Sequence, residues 1–151
     1  MINPSDYMRY SNVISRKYNF HYQEFNEKLQ HFIEACVQCG ASIKGPLFYS
    51  LNNVPKNKWV AVEFFIPVKE DIIDVKRGMY FHSYFSIEGM VSTCLHHNYR
   101  EDTEKAYAML LHATEQNDLQ QVTPFFHVIS GDETLQYTFI KLGVVGLKEQ
   151  S

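Results

Sequence analysis

The stretch that decides the fold is Trp59-Val60-Ala61-Val62-Glu63-Phe64-Phe65-Ile66-Pro67-Val68. β-Branched, aliphatic and aromatic residues dominate it with a period of two, which is typical of a β-strand. One side of the predicted strand is apolar throughout and consists of Val60, Val62, Phe64 and Ile66. We expect this side to pack under a helix, because an apolar sheet face needs a cover. Trp59, Glu63 and Phe65 then point away from that helix.

A second copy of the pattern follows 78 residues later, without a gap. Equivalent positions share residue class and pair Val13 with Val91, Pro46 with Pro124, Phe48 with Phe126 and Trp59 with Tyr137. A helical stripe repeats at the same shift, from Phe25, Leu29, Phe32, Ile33 and Cys36 to Thr103, Tyr107, Leu110, Leu111 and Thr114. This spacing predicts one domain, 1–151, built from two superposable repeats at about 1–73 and 79–151. The predicted core residues of the two helices are Phe32, Ile33, Leu110 and Leu111.

Each half has the predicted order strand, helix, strand, strand, with an additional strand before the second set. The predicted strands are 12–20, 45–51, 59–68, 79–87, 90–97, 124–130 and 135–144, with turns predicted at 52–57, Gly89 and 131–133. The predicted helices are 23–39 and 102–116. The fold class is therefore α+β, a pseudo-twofold repeat of strand-helix-strand-strand units. We expect two helices on one face of an antiparallel sheet and a concave cleft on the other.

Composition narrows the class of function. The 151 residues are 45% hydrophobic and 21% charged, as in ordinary globular proteins, but 15% aromatic. A net charge of −3 with no basic run argues against nucleic-acid binding. No apolar stretch is long enough to span a membrane, and the N-terminus does not resemble a secretory signal. Together with three cysteines, an odd number, this favours a cytoplasmic protein.

The strand face that carries Glu63 is the candidate binding site. Its equivalent in the second half carries Tyr137 and Lys141, so a cleft between the repeats would hold aromatic rings and one charge from each. A carboxylate among aromatic rings suits a cationic or amphipathic ligand. The alternative is that Glu63 and Lys141 form an ion pair that closes the groove.

The sequence contains little evidence for a redox, metal-binding or catalytic site. Cys36-Val37-Gln38-Cys39 lies at the end of the predicted helix, whereas a redox pair needs the start of one, so Cys36 is predicted to be a core residue. His96 and His97 are neighbours on a strand and face opposite sides, so they cannot chelate one ion. No nucleophile or phosphate-loop motif is present. We therefore expect no metal, no cofactor and no enzymatic activity.

The chain resembles the GyrI-like small-molecule-binding domain of bacterial transcription activators. The resemblance rests on Gly45-Pro46-Leu47-Phe48-Tyr49, Val60–Val68, Ile87-Glu88-Gly89-Met90-Val91 and Ala106-Tyr107-Ala108-Met109-Leu110. Three family features are missing. Phe126 occupies the position of a glutamate that meets cationic ligands, Asn98 that of a glycine before the second helix, and Ala113 that of a tryptophan. The family's DNA-binding segment is also absent, so the chain resembles a divergent stand-alone member.

The resemblance implies binding of a small molecule in the aromatic cleft. The residues predicted to line it are Tyr49, Trp59, Glu63, Phe65, Phe126, Tyr137 and Lys141. Because Lys141 repels cations and the glutamate is missing at Phe126, we expect amphipathic aromatic ligands that are neutral or zwitterionic.

Two other functions remain open. One is a protein-interaction role, as a homodimer or as an accessory to a secreted or toxin-like partner, with the segments 1–12 and 79–87 as contact edges. The other is a small hydrolase, since some members of the superfamily use a glutamate and a tyrosine. Glu63 with Tyr49 or Tyr137 is the comparable set in this chain.

Overall fold

The computed structural model describes residues 1–53, 57–96, 99–131 and 135–147, with side chains in the second helix described from Asp102 onwards. The elements in chain order are β1 (Ile2–His21), a short 3₁₀ turn (Tyr22–Glu24), α1 (Phe25–Gln38), β2 (Phe48–Leu51), β3 (Trp59–Pro67), β4 (Met79–Leu95), α2 (Tyr99–Gln116), β5 (Leu119–Gly131) and β6 (Gln136–Gly146). This order confirms the α+β class. The predicted turns at 52–57 and 131–133, and His97, lie partly or wholly outside the described residues.

The two strands predicted at 79–87 and 90–97 are one continuous strand, β4. The expected turn at Gly89 is wrong, because the chain passes through this glycine in extended form. A Cβ there would lie 3.1 Å from the carbonyl oxygen of Val144. Gly89 therefore allows a close approach of two backbones rather than a change of direction.

The chain divides into two compact units, residues 9–85 and residues 1–8 together with 86–151. In the 9–85 unit, β3 pairs antiparallel with β1 on one side, from Val13 opposite Pro67 to His21 opposite Trp59. It pairs antiparallel with β2 on the other, where Phe48 lies opposite Phe65.

Helix α1 covers one face of these three strands. The ring of Phe64 on β3 lies 5.8 Å from that of Phe32 and 5.5 Å from that of Phe25. Phe32, Cys36 and Phe64 are all fully buried. The predicted packing of the Phe64 side of β3 under α1 is thus confirmed, and strand alternation turns Glu63 to the other face.

In the other unit, β6 lies between β4 and β5. Met90 of β4 pairs with Gly143, and Phe125 of β5 pairs with Leu142, both antiparallel. Helix α2 contributes Ala106 and Leu110 to a buried cluster that also holds Val91, Ile140 and Leu142.

The predicted burial of Leu111 is wrong, since its side chain is 39% exposed. The buried face of α2 runs through Ala106, Leu110 and Thr114, which are four residues apart. Leu111 lies about 100° around the helix from Leu110 and points away from the strands. Ile33 of α1 is half-buried, whereas the prediction for Phe32 holds.

Residues that are 78 positions apart resemble each other in burial more than in strand pairing. Val13 and Val91 are both buried, as are many other pairs at this spacing. Val13, however, pairs with Pro67, whereas Val91 pairs with Leu142, the sequence equivalent of Phe64. The register of the paired strands therefore differs between the halves, and superposition of the repeats stays a prediction.

Candidate functional site

The face of the 9–85 unit opposite α1 carries a carboxylate in the middle of the three strands. Glu63 of β3 lies opposite Lys17 of β1 and Ser50 of β2. Lys17 is exposed, Glu63 is half-buried and Ser50 is buried, with its hydroxyl donated to Asn52 Oδ1 at 2.8 Å. Because the Ser50 hydroxyl donates to Asn52, it does not donate to the neighbouring Glu63. The Glu63 carboxylate can therefore accept a hydrogen bond from a ligand on this face.

An aromatic cluster lies next to Glu63 on the same face. Phe65, two residues along β3, stacks on Phe48 with ring centroids 4.8 Å apart, and both rings are buried. Phe85 packs 5.1 Å from Phe65 and 5.3 Å from Phe48, and Tyr10 stacks on Phe48 at 5.0 Å. We call these four rings, with His82, the aromatic cluster. Its half-buried members Tyr10 and Phe85 provide the apolar surface, and the buried Phe48 and Phe65 support it beside a carboxylate.

His82 gives the aromatic cluster a polar group. Its ring centroid lies 6.4 Å from those of both Phe65 and Phe85. Its Nε2 lies 2.8 Å from the hydroxyl of Ser15, a fully buried residue of β1 that pairs with Phe65. No local pattern in the sequence points to Ser15, His82 or Phe85, because these residues come from strands that only the fold brings beside Phe65.

Trp59 begins β3 on the same strand face as Glu63 and Phe65. Its side chain is 56% exposed, and its ring lies 6.0 Å from that of His21 in an edge-to-face arrangement. An exposed indole four residues from Glu63, about 13 Å along a strand, can report binding on this face without blocking it.

Tyr49 lies on the other face of the same strands. It pairs with Phe64, and its ring packs 5.1 Å from Phe25 and 6.0 Å from Phe64 under α1. Strand alternation therefore places Tyr49 and Glu63 on opposite faces, whereas both were predicted to line one cleft.

In the other unit, Lys141 is held by the N-terminal part of β1. Its Nζ lies 3.2 Å from Asp6 Oδ2 and donates to the Tyr7 carbonyl oxygen at 3.0 Å. Ser92 donates its hydroxyl to the same carboxylate at 2.6 Å. Burial raises the pKa of Asp6, but the hydrogen bonds from Ser92 and the Tyr7 amide and the charge of Lys141 outweigh it, so the pKa is lowered. Asp6 therefore neutralises Lys141, and no pattern in the sequence indicates this pairing.

The remaining predicted residues of this unit lie on the same strand face as Lys141. Phe126 of β5 pairs with Lys141 and is buried. Phe139 lies under the Lys141 ammonium at 5.7 Å, and Tyr137 packs edge-to-face on Phe139 at 5.6 Å. Phe126, Tyr137 and Lys141 therefore share one face of β5 and β6, away from α2.

A second histidine is buried under α2. His127 of β5 has its Nε2 hydrogen-bonded to the hydroxyl of Tyr107, whose ring stacks on Phe125. Burial lowers the pKa of His127 to about 3, so its ring is neutral at physiological pH. Tyr107 was placed on the core stripe from sequence, but nothing in the pattern pointed to its histidine partner.

The cysteines lack the geometry of a redox pair. Cys36 is in the last turn of α1 and Cys39 caps its C-terminal end. Burial is the main factor that raises the pKa of Cys36, to about 12, so its thiol is protonated and unreactive at neutral pH. No cluster of three or more histidine, cysteine or acidic side chains suited to a metal occurs in the described residues. No helix among them is long and apolar enough to cross a bilayer.

Comparison with solved structures relates this geometry to known folds. The chain is similar to EcmrR in the cryo-EM structure of an EcmrR–DNA complex, with a TM-score of 0.74, 16% identity, and coverage of 97% of this chain and 58% of EcmrR. It is also similar to the crystallised EcmrR C-terminal domain, with a TM-score of 0.68, 13% identity, and coverage of 95% and 98%. A hydrolase from Listeria innocua matches with a TM-score of 0.57, 12% identity, and coverage of 93% and 91%.

These similarities support the GyrI-like fold expected from the sequence motifs. The chain corresponds to little more than half of EcmrR, and to nearly all of its C-terminal domain. The model of a family described as "Domain of unknown function (DUF5085)" matches residues 9–146. No curated protein sequence matches the chain significantly.

Proposed function

The chain belongs to the DUF5085 family, and we propose that it is a small-molecule-binding protein whose ligand contacts the Glu63 face of the 9–85 unit. The observation that carries the proposal is the half-buried Glu63 carboxylate beside the aromatic cluster, on the face that α1 leaves uncovered. Apolar rings with a few fixed polar groups are the usual lining of small-molecule sites. The GyrI-like fold supports this function by analogy.

The chemistry of this face suits an amphipathic aromatic ligand. Phe85, the half-buried ring that packs on buried Phe65, offers ring surface, which favours stacked or edge-to-face contact with another ring. Glu63 attracts the positive end of a ligand dipole or a cationic group. Lys17, an exposed residue of β1 that pairs with Glu63, lies on the same face and disfavours a ligand that carries only a positive charge. We propose a neutral or zwitterionic aromatic compound as the ligand.

Hydrolysis by Glu63 and Tyr49 is the weaker candidate. Tyr49 is packed under α1 between Phe25 and Phe64, and Glu63 is on the opposite strand face. A catalytic pair needs both groups within reach of one substrate atom. The geometry of the 9–85 unit therefore favours binding over hydrolysis by these two residues.

Fluorescence of Trp59 tests the proposal, since Trp59 is the single tryptophan in the chain. The protein is titrated with zwitterionic, neutral, cationic and anionic naphthalene derivatives. We expect saturable binding of the first two classes and weaker binding of zwitterions to Glu63→Gln. Glu27→Gln is the matched control, an exposed carboxylate on α1. Absence of saturable binding in every class contradicts the proposal, and tight cation binding contradicts the assigned ligand class.

A protein-interaction role is the second candidate. Tyr80 and Tyr84 of β4 are 58% and 62% exposed, and large exposed aromatic side chains are common at interfaces. If a second copy of the chain covers them, light scattering should show a dimer for the wild type and a monomer for the Tyr80→Ser/Tyr84→Ser variant. A wild-type monomer at all concentrations contradicts self-association through this strand.

A further inference from the structure

We propose that His82 is the specificity-determining hydrogen-bond donor of the Glu63 face, presenting Nδ1–H to an acceptor oxygen on an aromatic ligand. This inference rests on the proposed function, because it assigns a recognition group within the same site. It begins from the contact between Ser15 Oγ and His82 Nε2, which is 2.8 Å long.

The burial of Ser15 determines the direction of that hydrogen bond. Ser15 is fully buried, and in the described part of the 9–85 unit His82 is the partner of its hydroxyl. If Nε2 donated to Ser15, the hydroxyl proton would be left buried without an acceptor, which is costly. The hydroxyl therefore donates to Nε2. A neutral imidazole that accepts at Nε2 carries its proton on Nδ1.

Nδ1–H is then the polar group that remains for a ligand. The His82 side chain is half-buried, and no hydrogen bond to Nδ1 occurs among the described residues. Its ring lies 6.4 Å from that of the half-buried Phe85, so a ligand ring that packs on Phe85 lies close to His82. One donor at the edge of an apolar surface selects ligands that carry an acceptor there.

A nucleophilic role for the same pair is unfavourable. A serine–histidine dyad needs a hydroxyl that can reach a substrate carbonyl. Ser15 has no exposed surface, and it lies within the three-stranded sheet opposite Phe65. The Ser15 hydroxyl is therefore a positioning group that fixes the His82 tautomer.

The tautomer can be measured directly on the full chain. Two-bond ¹H–¹⁵N spectra of the imidazole rings distinguish Nδ1–H from Nε2–H histidines, and His82→Phe assigns the signal. We expect Nδ1–H in the wild type and a mixture in Ser15→Ala, which lacks the hydroxyl. A wild-type His82 protonated on Nε2 overturns the inference.

Recognition is tested with two probes of similar shape, acetylnaphthalene and isopropenylnaphthalene, of which only the first has an acceptor oxygen. Equilibrium dialysis should show roughly 3- to 10-fold tighter binding of acetylnaphthalene to the wild type, the range that one hydrogen bond provides. His82→Phe, which retains an aromatic ring, should lose the preference, and Ser15→Ala should reduce it. His112→Phe, at an exposed position on α2, should retain it.

The outcomes separate this inference from the proposed function. Equal affinity of the wild type for both probes overturns the role of His82 and leaves small-molecule binding intact. If His82→Phe still binds acetylnaphthalene more tightly than isopropenylnaphthalene, the role of His82 is likewise overturned and small-molecule binding is left intact. If neither probe binds and Trp59 also responds to no compound, the proposed function fails and the inference fails with it.

Discussion

Lys141 on β6 and Asp6 near the start of β1 form an ion pair across 135 residues of sequence, with Nζ 3.2 Å from Oδ2. Their side chains are only 12% and 16% exposed. Ser92 and the Tyr7 amide also donate to the same carboxylate. This network attaches the first residues of β1 to β4 and β6 of their own unit, and it uses a lysine that sequence analysis had assigned to ligand binding.

Lys141→Met should destabilise the protein by about 1–3 kcal/mol, because it leaves the Asp6 carboxylate partly buried without its cation. Denaturant unfolding measures the change. The Asp6→Asn/Lys141→Met double variant should cost less than the sum of the single variants, since each removes the same contact. Lys105→Met, at an exposed position on α2, is the control. Equal costs for Lys105 and Lys141 would show that the pair contributes nothing.

Leu110→Ala should cost about 2–5 kcal/mol, whereas Leu111→Ala should cost less than about 0.5 kcal/mol. Leu110 is fully buried against Ile140 and Leu142, whereas Leu111 is 39% exposed. The two leucines are adjacent on one helix, so the comparison cancels differences in helix propensity. Thermal or chemical denaturation measures both. Similar costs would mean that α2 presents a different face to the strands.

The sequence predicted the parts of the fold that depend on local periodicity. Alternation in β3 correctly placed Phe64 under α1, and the helical stripe correctly placed Phe32 and Leu110 in the core. Leu111 was assigned wrongly because a stripe of apolar residues can be wider than the face that is buried. The pattern cannot show where burial stops, since this depends on how the helix is rotated on the strands.

Site residues could be predicted only where the alternation within a single strand decides which face they occupy. Glu63 and Phe65 follow from the alternation of β3, whereas Tyr49 depends on the register of β2 against β3. A register change of one residue would bring Tyr49 to the opposite face. Contacts between distant segments, such as Ser15 with His82, carry no local signal at all.

Gly143→Ala should destabilise the protein by about 1–3 kcal/mol through overpacking. A Cβ at Gly143 would lie 2.5 Å from Thr123 Cγ2, at the irregularity in β5 between Gln121 and Phe125. The Thr123 hydroxyl also accepts the Gly143 N–H at 2.8 Å, so the two residues cannot move apart freely. Thr123→Ser removes the methyl group and should restore part of the stability lost in Gly143→Ala. Additive effects of the two substitutions would contradict this contact.

Below its ordinary pKa of 6.5, His127 should make the stability of the protein depend on pH. Burial lowers its pKa to about 3 in the folded state, so the unfolded chain binds a proton in this window that the folded chain does not. The free energy of unfolding should therefore fall as the pH decreases from 6.5 towards 3, by up to about 1.4 kcal/mol per pH unit from this residue.

Urea unfolding across that pH range tests the role of His127. The free energy of unfolding should change less steeply with pH in His127→Gln than in the wild type, whatever the variant's stability at neutral pH. His112→Gln, at an exposed position, should follow the wild-type slope. An unchanged slope in His127→Gln would mean that the ring takes up its proton in the folded state, and that burial does not hold it neutral.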